Sequence, residues 1–106
     1  MLQWPILIKH PQQPELQLLE NLAQWQQETA HLYPQELQII DSQGHSYQWQ
    51  GEAFYLATEQ ISLAAIIDWV RAHAGLNGHC CTAKLGANNI VQVFDMMTYL
   101  EEHSFL

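Results

Sequence analysis

The sequence predicts an α+β fold: a single two-layer domain over residues 1–106, built on a mixed or antiparallel sheet of about five strands with two to three helices packed mainly on one face. Two observations carry this reading. Short β-branched or alternating apolar segments are separated by Gly, Pro and Asn turns, as strands require. Residues 59–74 and the stretch after Asn89 instead space their apolar residues for helices. A length of 106 residues at 48% apolar content suffices for one core and is too little for two.

Leu2–Ile8 reads as the first strand, and Pro5 near its start suits an edge position. Residues 9–14 form a loop, because Pro11 and Pro14 remove donors and hold the preceding residues extended. Two arrangements fit residues 15–32. Leu18, Leu22 and Trp25 are spaced for one helix with Pro14 in its first turn. Alternatively, Glu15–Leu19 folds back on the first strand, and Asn21 caps a short helix with Gln24 as its capping-box partner. The hairpin is preferred.

Glu36–Ser42 and His45–Gln50 flank Gln43-Gly44 as a second hairpin, with Gly44 supplying positive φ. Phe54-Tyr55-Leu56 is either a further short strand or a plug of the core. The strongest helix follows at 59–74, with Ile61, Ala65, Trp69 and Ala72 on one face and Ile66 and Val70 beside them. Gly75 is placed as its C′ residue. His79–Leu85 reads as a strand ended by Gly86. Asn89 then caps a last helix, with Gln92 at N3 and a stripe of Ile90, Val93, Phe94, Met97 and Leu100.

Charge excludes several functions. Only 13% of residues are charged, and three cations (Lys9, Arg71, Lys84) face eleven carboxylates for a net charge of −8. A nucleic-acid binder needs a row of Lys and Arg to release phosphate counterions, and three scattered cations form none. An anionic membrane surface is disfavoured on the same ground. No apolar run approaches the roughly 18 residues of a spanning helix. Trp4–Ile8 is too short for a signal-peptide core and has no basic lead-in. With two adjacent cysteines there is no disulfide framework either, and a cytoplasmic location is expected.

The residues that invite a chemical reading are His73, His79, Cys80 and Cys81. A zinc site needs three or four converging ligands, and adjacent cysteines on a strand point to opposite faces. One core cysteine and one peripheral cysteine are therefore expected, with no cofactor. The six histidines include no pair at helical i, i+4 spacing, and no phosphate loop, HExxH or GxSxG occurs. No catalytic residue is assigned. Asp41 and Ser42 read as turn formers that bond their own backbone. Trp49 and Trp69 are expected to face inward. Trp4 and Trp25, the latter set among Gln24, Gln26 and Gln27, are the candidate partner contacts, because interface centres are aromatic and poor in Lys and Glu.

Ile39-Ile40-Asp41-Ser42-Gln43-Gly44-His45-Ser46-Tyr47, followed by Ala64–Gly86, resembles a family of short bacterial proteins that form a domain of unknown function. The resemblance implies a stand-alone bacterial cytosolic protein and carries no activity with it. From the residues themselves, the expected function is that of a non-enzymatic protein-interaction domain with an acidic surface rich in glutamine, of which there are fourteen. Its partner is expected to be another protein, a basic one being favoured by long-range attraction, and the chain to be a monomer or weak homodimer. The rivals are a small metal-binding or redox protein using His73, His79, Cys80 and Cys81, and a small enzyme whose pocket one sequence does not reveal.

Overall fold

The computed structural model describes residues 1–30, 33–76 and 89–102. Five strands, β1 (Ile6–Lys9), β2 (Leu16–Leu19), β3 (Gln38–Asp41), β4 (Ser46–Gln50) and β5 (Ala53–Leu56), form one open sheet in the order β2-β1-β3-β4-β5. Every neighbouring pair is antiparallel. Among the described residues three helices accompany it: α1 (Leu22–Glu28), α2 (Leu63–Leu76) and α3 (Ile90–Glu102), with a 3₁₀ turn at Pro34–Glu36. The α+β class expected from the sequence is the observed one.

Strand side chains alternate between faces, and this sorts the core into two parts. Leu7, Leu16 and Ile40 point to one face, where they pack with Ile66, Val70 and Ala74 of α2 and Val93, Phe94, Met97 and Leu100 of α3. Ile6, Ile8, Leu19, Ile39 and Tyr47 point to the other, against Trp25 of α1 and Leu37. Ile6-Leu7-Ile8 is therefore a continuous apolar run because β1 is covered on both faces. Its expected edge position is corrected, since β1 lies between β2 and β3. Pro5 is compatible with that central position because it stands just before the first paired residue, Ile6, and removes no ladder donor.

Of the two arrangements for residues 15–32, the hairpin is observed, in a register running from Ile6↔Leu19 to Lys9↔Leu16. Asn21 Oδ1 accepts from the Gln24 N–H at 2.9 Å, and Gln24 Oε1 in return accepts from the Glu20 N–H at 2.6 Å. This is a capping box displaced by one residue. The β3–β4 turn is built on Asp41, which is 0% exposed. Its Oδ1 accepts from the N–H groups of Gln43 and His45, both at 3.0 Å, and its Oδ2 accepts from the Gln3 N–H at 3.1 Å. The carboxylate thus shapes its own turn and ties the N-terminal segment to it. Gly44 sits at φ +86°, where a side chain is strained. Burial, with the Asp41 carboxylate adding to it, pushes the Tyr47 phenol above its ordinary value.

Helix α2 starts later and turns a different face inward than the spacing predicts. Ile61 N–H is held by Ser46 Oγ at 2.9 Å, so the helix opens only after Ser62, whose Oγ accepts from the Ala65 N–H at 3.2 Å. Ile66, Val70, His73 and Ala74 are buried, whereas Ala72 is exposed and Trp69 half-buried. Gly75 lies inside the helix rather than at C′. At an exposed helical position it costs only about 1 kcal/mol relative to Ala, so it does not end the helix. Helix α3 follows expectation, with Asn89 Oδ1 accepting from the Gln92 N–H at 2.9 Å. The expected strand at His79–Leu85 lies outside the described residues.

Candidate functional site

An open sheet has two edges, each presenting backbone groups that another chain can pair with. Here the two edges are treated differently. In an antiparallel ladder successive residues turn their N–H and C=O alternately toward and away from the neighbouring strand. On β2, Leu16 and Leu18 turn theirs outward. The Leu16 N–H donates to Nδ1 of His73, a buried side chain of α2, at 3.2 Å. The Leu18 backbone faces the carboxylate of Glu101 on α3 and favours its charged form. Both outward donors of this edge thus meet side chains of the two packed helices, the first in a hydrogen bond to His73 and the second beside the Glu101 carboxylate.

Desolvation at this site raises the Glu101 carboxyl above the ordinary range, and the nearby Glu15 carboxylate raises it further. The Leu18 backbone pulls the other way. The strand is also hemmed in on its other face by α1, where Gln17 Nε2 donates to Glu28 Oε2 at 3.1 Å.

At the opposite edge, Ala57 N–H donates to Ser46 O at 2.9 Å, and the register pairs Gln48 with Tyr55 and Gln50 with Ala53. Alternation therefore turns the backbone of Ala53, Tyr55 and Ala57 toward β4 and that of Phe54 and Leu56 outward. Among the described residues no side chain is bonded to these outward donors. Tyr55 is 55% exposed on the α2/α3 side of the sheet, and Leu56 is 63% exposed on the aromatic side. The edge is firmly set. Gly51 and Glu52 make the β4–β5 turn with positive φ, and Gln60 bridges the far end, its Oε1 accepting from Ser46 N–H and its Nε2 donating to Ser46 O and Ala57 O.

Behind β5 stands a block of aromatic rings. Phe54 lies edge-on to Trp25 and Trp49, both at 4.9 Å between centroids, and to Trp4 at 6.0 Å, and Trp25 tilts against Trp49 at 5.3 Å. Trp4 is half-buried at the outside of this block. Trp25 is 1% exposed, which corrects its assignment as a partner contact: its glutamine neighbours face solvent while its own ring plugs the core under α1. Trp49 is half-buried, and Trp69 carries Lys9 Nζ 5.4 Å above its ring, a cation–π contact.

Of the metal or redox candidates, His73 has its Nδ1 engaged by Leu16, and His79, Cys80 and Cys81 lie outside the described residues. Among the described residues no three His, Cys, Asp or Glu side chains converge as metal ligands, and no helix is long and apolar enough to cross a membrane. A groove of about 630 Å³ is lined by His10, Pro11, Gln12, Gln13 and Glu36, where one imidazole and one carboxylate stand among amide and proline side chains. Sequence reasoning missed Tyr55, Leu56, Glu101 and the role of His73. The unbroken apolar triplet Phe54-Tyr55-Leu56 was the one local signal for the open edge.

Residues 4–97 match a family, DUF4144, described as protein structure with unknown function. The chain belongs to that family. It is also similar to a solved structure, an NMR structure of the protein from Shewanella Amazonensis, at 28% identity and a TM-score of 0.67 over 94% of this chain and 90% of that one. No curated protein matches the chain. Family membership accounts for the fold and brings no activity, so the asymmetry of the two edges is the functional lead.

Proposed function

We propose that this chain is a non-enzymatic protein-interaction domain of the bacterial cytoplasm that binds by accepting an extended segment of its partner along β5. One observation carries the reading: the outward N–H groups of β2 face His73 and Glu101, while among the described residues no side chain bonds those of β5, beside exposed Tyr55 and Leu56. Exposed apolar edges invite uncontrolled pairing, and folds usually blunt them. A fold that blunts one edge and leaves an apolar one open has a use for the open edge. Strand addition supplies main-chain hydrogen bonds for affinity and alternate side-chain contacts for specificity. The similarity to a Shewanella protein supports a bacterial source.

Leu56→Pro tests this. It removes an outward donor while leaving the ladder to β4 intact, since proline is tolerated where the N–H faces solvent. Capture from a bacterial lysate with the wild-type chain and with this variant, compared quantitatively, should give proteins held by the first and lost by the second. Identical capture by both would contradict strand addition at β5.

A further inference from the structure

Resting on that reading, we infer that the segment received by β5 is a basic one, apolar at its centre and carrying Lys or Arg at both ends. The centre is dictated by the strand. Phe54 and Leu56 offer apolar surface on the aromatic face of the sheet and Tyr55 offers it on the other, so an added strand needs apolar side chains alternating to both faces opposite these three. The ends are dictated by charge. Glu52 stands exposed in the turn before β5 and Glu59 exposed in the segment after it. No Lys or Arg occurs between Lys9 and Arg71, while that stretch holds eight carboxylates. A partner strand running past both ends of β5 thus meets a carboxylate at each.

A second copy of this chain fits less well. Antiparallel self-pairing centred on Tyr55 sets Phe54 against Leu56, which is favourable, but it sets Glu52 against Thr58 and brings no cation to any of the four carboxylates. It also joins two chains of net charge −8. Charge complementarity therefore selects a foreign, cationic strand. Rim ion pairs of this kind contribute little each, yet they speed encounter and reject acidic competitors.

The test titrates the 15N-labelled full chain with the peptide Lys-Lys-Thr-Val-Ile-Val-Thr-Lys-Lys, blocked at both termini, and with its counterpart bearing Glu at every Lys. The lysine peptide should shift the amides of Phe54 and Leu56 and bind roughly 2- to 30-fold more tightly than the glutamate peptide, the range expected of two rim pairs. Added salt should narrow the difference, and Glu52→Lys with Glu59→Lys should reverse the preference. Equal binding of the two peptides at Phe54 and Leu56 would overturn the basic partner and leave strand addition standing. A dimer in light scattering that Leu56→Pro abolishes would replace the foreign strand by a second copy. Peptide shifts confined to residues away from β5, or none, together with a monomer at all concentrations, would overturn strand addition itself.

Discussion

His73 on α2 holds the backbone of Leu16 on β2: its Nδ1 accepts the Leu16 N–H at 3.2 Å across a sequence separation of 57 residues. An acceptor nitrogen bears no proton, so the bond is made by the neutral imidazole. It both anchors α2 to the sheet and closes one end of an edge strand. His73→Leu should leave a buried donor without its acceptor and cost about 1–3 kcal/mol in urea unfolding. An unchanged midpoint would show that the bond is dispensable.

Glu101 closes the same edge at Leu18, and its raised carboxyl gives it a pH signature. A group raised in the folded chain stabilises below its unfolded value, near 4.5, and loses that contribution as the pH rises through the folded value. Glu101→Gln keeps an oxygen for the Leu18 N–H and removes the charge. The variant should therefore be slightly more stable than the wild type at pH 7, and the gain should vanish by pH 4. A gain that persists at pH 4 would assign the effect to something other than this carboxyl.

Asp41 receives three backbone donors, two on Oδ1 and one on Oδ2. In Asp41→Asn the amide nitrogen must face either the Gln3 N–H or the pair from Gln43 and His45. A loss of about 1–3 kcal/mol is expected by denaturant titration, together with loosening of the N-terminal segment visible as faster exchange at the Gln3 amide. Stability equal to the wild type would contradict the carboxylate's structural role.

The two tryptophans first matched for partner contact should now separate. Trp25→Ala removes a fully buried ring and should cost about 3–5 kcal/mol, whereas half-buried Trp4 should cost well under that. Thermal unfolding of both variants decides the order, and a larger loss at Trp4 would reverse it.

What the sequence made legible is local. Asn21 with Gln24, Asn89 with Gln92, Gly44 in its turn and the α3 stripe each depend on residues a few positions apart, and each is observed where spacing placed it. What it concealed depends on layers and register. Trp25 among glutamines looks exposed until α1 is known to cover the second face of the sheet. Pro5 suggests an edge until β3 is known to pair beyond β1. Gly75 suggests a helix end, though at an exposed position its cost is too small to stop α2. The difference between the two edges rests on pairs such as Leu16 with His73 and Leu18 with Glu101, brought together only by the packing of α2 and α3. The metal reading of His79, Cys80 and Cys81 concerns residues outside those described.

The central claim is that β2 is a closed edge and β5 an open one, and hydrogen exchange at four amides tests it most directly. In the free chain the Leu16 and Leu18 amides should exchange at least about tenfold more slowly than those of Phe54 and Leu56, since among the described residues only the first pair faces side-chain acceptors. Equal protection of the two pairs, or protection of Phe54 and Leu56 in the free monomer, would contradict it.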